Sequence, residues 1–194
     1  MLTQLATIKS RLAILDSDSD ALLTNALKAV SARFDNECNR TFARAVNATH
    51  EFNAEEIELR PPCYPIEAVT KFEIKSNEAD GWSEQTGVAY LIRRQCVISL
   101  CSPLSSLNSP LSTARLTYTG GYVLPGTTPG AGQTALPDEL EQAAVEQVAY
   151  WYQNRDKLGL VRIWPHDGTF ETFAQLDLLI QVKAVLRKYE RWSV

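Results

Sequence analysis

Residues 2–42 read LTQLATIKSRLAILDSDSDALLTNALKAVSARFDNECNRTF, and this stretch decides the reading of the chain. It predicts a short helix, an acidic corner, a longer amphipathic helix and a polar exit into a β region. The corner is Asp16-Ser17-Asp18-Ser19-Asp20, residues whose side chains bond their own backbone and so favour caps over helix interiors. Beyond it, Leu22, Leu23, Ala26, Leu27, Val30 and Phe34 recur at three- and four-residue spacing, which predicts one buried helical face. Nothing in the segment has the chemistry of catalysis. Packing comes first, and that points towards assembly.

Composition sets the outer bounds. The chain has 194 residues, 45% of them hydrophobic, enough for a core in one large domain or two small ones. A formal charge of −4 argues against a general nucleic-acid binder, which carries a basic surplus. It allows a protein that DNA passes without adhering, because an acidic surface repels phosphate. No apolar run approaches the roughly 20 residues that span a bilayer. Gln4, Lys9 and Arg11 interrupt any signal-peptide pattern, so the expected compartment is the cytoplasm in which the chain is made. Cys38, Cys63, Cys96 and Cys101 form no CxxC pair and have no histidine at ligand spacing, so they read as reduced, semi-buried thiols.

From residue 43 to 119 the pattern changes to short alternating or β-branched runs at 56–59, 68–74, 89–92, 96–100 and 114–118. Separators rich in Pro, Gly, Asn and Ser are those of a small antiparallel sheet. Pro61-Pro62-Cys63-Tyr64-Pro65 lacks ladder donors and is expected as an extended rim segment. Asn77 to Trp82 reads as a hairpin turn. After Thr119-Gly120-Gly121-Tyr122, a Gly/Pro/Thr run without periodicity continues to Leu136; it is either polar filler or a surface that orders against a partner.

Leu136-Pro137-Asp138-Glu139-Leu140 restarts helix, with Pro suited to the first turn and the acids to the positive helix end. The expected apolar stripe is Leu140, Ala144, Val148, Trp151 and Tyr152. A last helix is predicted over 173–191, with Leu176, Leu179, Ile180, Val182, Val185, Leu186 and Tyr189 as its apolar positions. Trp192 beyond it either folds back on its own helix or docks into a partner groove. The order αα, β, αα predicts an α+β fold, with an N-terminal helix pair, a small antiparallel sheet and two C-terminal helices on the same side. A core over 1–156 and a C-terminal extension over 157–194 are the expected divisions.

Chemistry is sparse. His50 and His166 are the two histidines, and His166 lies in Trp164-Pro165-His166-Asp167-Gly168, whose composition is that of a turn. GxSxG, HExxH and phosphate-loop patterns are absent. Gly120-Gly121 reads as the end of a strand rather than an anion nest. The expectation is therefore no catalytic residue, no cofactor and no metal.

Several motifs, in order, resemble the gp6-like head-to-tail connector proteins of tailed bacteriophages, also called adaptor or head-completion proteins. The helix pair with Leu5 to Leu12 and Asp20-Ala21-Leu22-Leu23 looks like the family's start, and Cys38-Asn39-Arg40-Thr41-Phe42 like its helix exit. Arg60-Pro61-Pro62 with Pro65-Ile66-x-x-Val69 resembles its strand entry. Tyr118-Thr119-Gly120-Gly121-Tyr122 with Leu136-Pro137-x-x-Leu140 resembles its Tyr-x-x-Gly loop and following helix, and Leu186-Arg187-Lys188-Tyr189 its ending. The stretch 156–172 and the long Gly/Pro loop depart from shorter members.

The resemblance implies a homo-oligomeric ring of about twelve copies under the portal protein, with heterologous contacts on two sides of each subunit. It implies a downstream stopper or tail protein, double-stranded DNA passing through the lumen without sequence-specific binding, no membrane, and a place in the virion neck. On this chain the portal contact would fall within 173–194, at Leu179, Val182, Leu186, Tyr189, Arg191 and Trp192. Ring or tail-side contacts would fall on 77–87 and 120–136, at Trp82, Tyr122 and Leu124. The competing readings are a stopper or tail-completion protein, against which the two-helix start argues, and a non-viral binding or regulatory domain. A third, an enzyme of unfamiliar type, would need His50, His166 and the cysteines to converge.

Overall fold

A computed structural model describes residues 1–104, 112–156 and 177–191. The chain divides into a helical unit and a β unit. The helical unit comprises Met1–Cys38, Leu124–Gly126 and Leu136–Glu190. Its helices are α1 (Leu5–Leu12), α2 (Asp20–Glu37), α3 (Asp138–Gln153) and α4 (Ile180–Leu186), the last continued by a 3-10 turn, Arg187–Tyr189.

The predicted stripe of α2 is real at four positions: Leu23, Leu27, Val30 and Phe34 are fully buried. Leu22 is not part of it and stays 49% exposed, because one residue is a 100° turn away from the Leu23 face. α1 contributes Ile8, α3 contributes Leu140, Ala144 and Val148, and α4 contributes Val182 and Leu186 to the same interior. α1 ends at Ala13, which takes the left-handed conformation (φ 55°) and donates its N–H back to Ser10.

The acidic corner forms, by other bonds than side-chain capping. Ser19 precedes α2 without a side-chain cap, and its hydroxyl pairs with the Tyr152 hydroxyl at 2.8 Å. Asp20 binds Lys9 Nζ at 2.6 Å, so the corner is tied to α1 and α3. The expected helix over 173–191 is shorter in the described residues. Leu179 is extended (ψ 145°), the α-helix begins at Ile180, and its last turn tightens to 3-10. Residues 173–176 lie outside the described residues. α4 groups with α1–α3, so the expected break at 156/157 does not coincide with the division between units.

The β unit comprises Asn39–Val123, Thr127–Ala135 and Arg191–Val194. Its strands are β1 (Ala45–Asn53), β2 (Glu58–Leu59), β3 (Ile66–Lys75), β4 (Ser83–Gln85), β5 (Tyr90–Arg93), β6 (Val97–Leu100), β7 (Thr113–Gly120), β8 (Tyr122–Val123) and β9 (Thr134–Ala135). They form an antiparallel sheet ordered β1-β7-β3-β4, a second antiparallel sheet ordered β2-β6-β5, and a parallel pair β8-β9. The single sheet expected from sequence is thus two sheets that share one core, with Phe52, Phe72, Leu116 and Tyr118 from one and Leu59, Ile98 and Leu100 from the other.

Each predicted run lies in or overlaps a strand; β4, β8, β9 and the much longer β1 have no counterpart among them. The register of β1 shifts between Ala45 and Ala48, with Asn47 at φ 56°, so the bulge breaks the two-residue period. The proline segment is not a rim either: Pro61, Cys63 and Pro65 are buried, and Thr41 pairs across to Cys63. The long Gly/Pro loop returns, through Thr134 and Ala135, to pair with Tyr122 and Val123.

Candidate functional site

The exit from α2 builds the first notable cluster, inside the β unit. Arg40 is 3% exposed, and its guanidinium carbon lies 3.3 Å from the ring centre of Tyr64, 4.6 Å from Phe42 and 5.3 Å from Tyr122. Arg40 Nη2 donates to the Tyr64 carbonyl, while Nε has no partner among the described residues. No carboxylate pairs with Arg40 among the described residues. Three π faces therefore hold a desolvated cation, an arrangement worth about 2 kcal/mol or more. Burial pushes the Tyr64 phenol above its ordinary range.

Main chain converges around this cage. Tyr122 N–H donates to Phe42 O at 2.8 Å, Arg44 N–H to Tyr122 O at 2.9 Å, and Gly121 N–H to Pro65 O at 2.9 Å. Cys63 Sγ donates to Ala43 O and Gly120 O, and Cys63 N–H donates to the Tyr118 hydroxyl at 3.0 Å. The two glycines are required by closeness: a Cβ at Gly121 (φ +97°) would sit 2.6 Å from Ala43 O, and one at Gly120 2.5 Å from Cys63 O. The Arg-Thr-Phe, Pro-Pro and Tyr-Thr-Gly-Gly-Tyr motifs are thus one junction, separated in sequence and joined in space. Tyr122, expected as an exposed loop contact, is 8% exposed and belongs to this junction. Leu124, expected beside it, is half-buried and belongs to the helical unit.

Trp82, the other expected loop residue, is half-buried beside the β3–β4 turn. Its ring lies 4.2 Å from the Arg115 guanidinium and 5.1 Å from Lys75 Nζ. Arg115 and Lys71 both bind Glu73 at 2.9 Å, and these contacts, led by the Lys71 bond, hold that carboxyl below its usual range. The outer face of the four-stranded sheet is therefore a fixed layer of paired charges capped by an aromatic ring. In the turn itself, Asn77 Oδ1 accepts from Asp80 N–H at 2.8 Å and Lys75 pairs with Glu78 at 2.8 Å.

The described residues among the expected portal-facing positions separate into a buried and a half-buried set. Val182 and Leu186 are each 1% exposed and are core of the helical unit, so they are not available on its surface. Leu179 is half-buried, and its N–H donates to Gln147 Oε1 at 2.8 Å. Tyr189 donates to Glu139 at 2.5 Å, beside Lys188, which binds the same carboxylate at 2.8 Å. Arg191 belongs to the β unit and donates to Arg60 O at 2.8 Å. Trp192 lies outside the described residues. Sequence reasoning gave no partners for Asp177, which accepts from Arg33 and Lys183 at 2.5 Å each and from Leu178 N–H, and which is held below the usual carboxylate range, first by Lys183. It also missed Gln147, fully buried in α3; a polar residue on an apolar stripe was the available signal.

His50 is half-buried and stacks on Phe52 with ring centres 6.3 Å apart; burial first, then the Arg191 charge, lowers its pKa. His166 lies outside the described residues. Cys38 and Cys63 are buried, Cys96 is half-buried and Cys101 exposed, and none of the four is in a disulfide. Among the described residues no group of three or more His, Cys, Asp and Glu side chains is arranged to hold a metal, and no helix is long and apolar enough to cross a membrane.

No family model matches the chain, and no curated protein matches its sequence. Solved structures do match its fold. A chain in the neck of an empty gene transfer agent particle, computed with C6 symmetry, aligns with a TM-score of 0.61 at 16% identity, covering 100% of this chain and 91% of that one. A chain in the virion of the native gene transfer agent particle aligns at 0.60, and one in the neck of the native particle, computed with C12 symmetry, at 0.59, with the same identity and coverage. The likeness runs through the whole chain and establishes a shared fold.

Proposed function

We propose that this chain is a structural neck protein of a tailed-phage-like particle, acting as a head-to-tail connector of the gp6-like, adaptor type. In this reading, copies form a ring below the portal protein, extend the DNA channel, and offer the next neck or tail protein its attachment surface. The observation that carries it is the end-to-end fold likeness to chains in gene transfer agent particles, two of them from particle necks. The ordered motifs add support, since they meet in one buried junction at Arg40, Tyr64, Gly121 and Tyr122. The C12 and C6 symmetries of those necks accord with a cyclic assembly of about twelve copies. The role is one of assembly, with no catalytic step, and DNA is a passenger rather than a sequence-specific ligand.

The buried state of Val182 and Leu186 moves the portal-facing part of this proposal to exposed positions at the same end, Arg187 and Lys188. A stopper or tail-completion role is the second reading, and the N-terminal helix pair argues against it. Native mass measurement of the full chain, alone and with an isolated portal ring, tests the proposal. A cyclic oligomer or a portal-bound ring is expected. A chain that stays monomeric in both conditions contradicts it.

A further inference from the structure

Strand β3 separates two turns of opposite charge. At its start, Gln95 O accepts from Ile66 N–H at 2.6 Å, which fixes the β5–β6 turn there. That turn presents Arg93 and Arg94, both exposed. Arg93 makes one long contact, 3.3 Å, to Glu58, which is also exposed, and Arg94 has no partner among the described residues. At the far end, Lys75 leads into the β3–β4 turn, where the Glu78 side chain is 90% exposed and Asp80 is exposed. Lys75 offsets one of these charges, and Glu84 on β4 adds another acid. The ten residues of β3 place the two turns roughly 30 Å apart.

The basic turn is built against local preference. Arg94 (φ 50°) and Gln95 (φ 56°) are both left-handed, and Cys96 N–H closes on Arg93 O, the pattern for which Asn-Gly is the favoured pair. Long side chains cost about 1 kcal/mol or more at each such position. Turn chemistry therefore does not account for Arg94. Each turn also has an apolar neighbour: Leu91, 63% exposed and on the same strand face as Arg93, and Trp82 beside the acidic turn.

We propose that in the assembled ring the Arg93–Arg94 turn of one copy docks on the Glu78–Asp80 turn of the next copy. This rests on the ring reading and names its contact. Basic against basic and acidic against acidic repel, so only head-to-tail pairing is attractive. Two different patches at opposite ends of one strand make a heterologous contact, the kind that closes into rings. Charge steers the encounter and fixes its polarity, with Leu91 and Trp82 as the apolar part of the contact.

The test uses two full-length variants, Arg93→Glu/Arg94→Glu and Glu78→Lys/Asp80→Lys, each checked for native circular dichroism. Under conditions in which the wild type forms rings, each variant alone is expected to lose the ring. An equimolar mixture should recover it, because alternating copies again present opposite charges at every contact. Raising salt from 0.1 to about 1 M, which shortens the screening length from about 10 to 3 Å, should weaken the wild-type ring. Rings formed by either variant alone would overturn the contact while leaving the ring reading intact. So would a mixture of two folded monomeric variants that stays monomeric. An arginine variant that keeps its rings and loses only DNA retention would assign the turn to the DNA backbone instead and overturn the contact. A wild-type chain that remains monomeric even with the portal would remove the ring reading and this contact together.

Discussion

Gln147, fully buried in α3, accepts the N–H of Leu179 at 2.8 Å and so holds the residue that leads into α4. With Val182 and Leu186 packed beneath, α4 is a structural member of the helical unit. Gln147→Leu should cost about 1–2 kcal/mol by stranding that N–H. Leu186→Ala should cost about 2–5 kcal/mol through the cavity it leaves. Chemical denaturation reads both. Removing residues 173–194 is accordingly expected to lower helical content and stability as well as portal attachment. Arg187→Glu/Lys188→Glu is the cleaner variant, since both side chains are exposed and exposed pairs contribute little to stability. It should weaken portal binding with little change in the denaturation midpoint.

Arg40→Lys should destabilise the β unit by about 1–2 kcal/mol despite keeping the charge. An ammonium cannot stack flat on Tyr64 as a guanidinium does, nor donate in the same plane to the Tyr64 carbonyl. Comparison of denaturant midpoints for wild type, Arg40→Lys and Arg40→Ala checks this, with the lysine variant expected between the other two.

Tyr118 supplies an alkaline limit. Burial pushes its phenol up to about 12, from an ordinary value near 10, while the hydroxyl accepts the Cys63 N–H. A raised folded pKa means the stabilisation is complete below about pH 10 and is lost as pH rises towards 12, a span worth on the order of 2–3 kcal/mol. Glu73, Glu139 and Asp177 have depressed folded pKa values, so their contribution is present above the ordinary carboxylate range and disappears as pH falls through the folded values. A stability profile against pH should decline at both ends. Tyr118→Phe should flatten the alkaline side and lower the plateau, because Cys63 N–H loses its acceptor.

The β5–β6 turn separates stability from assembly. Arg94→Asn/Gln95→Gly places the favoured residues at two left-handed positions and should raise stability by about 1–2 kcal/mol. Thermal unfolding would show the gain, and the same variant should form rings less well, since Arg94 is gone.

Much of the fold was legible because periodicity survives packing. The Leu23, Leu27, Val30 and Phe34 face, the alternation of β5 and the start of α3 carry patterns that burial reproduces; β3, β6 and β7 do not alternate in burial and were legible from their apolar and β-branched runs between turn residues. β1 was not legible, since the bulge at Asn47, the third of its nine residues, breaks the alternation near its start. The junction was legible only in pieces: Arg40, Cys63, Tyr118 and Gly121 lie far apart in sequence, and nothing local says that a buried arginine needs aromatic faces rather than a carboxylate. The exposed ends of α4 and the inward turn of Leu186 share one apolar pattern, so spacing alone could not separate a docking face from core. Charge at the two β3 turns was visible in the residues, but their placement at opposite ends of one strand required the topology.

Imaging of purified particles carrying a tag on this chain reads out where in the virion it sits. Ring-shaped density with cyclic symmetry, about twelve copies, is expected between the portal and the next neck or tail component. Particles with a complete neck and the tag found elsewhere, on the capsid shell or at the tail tip, would contradict that placement.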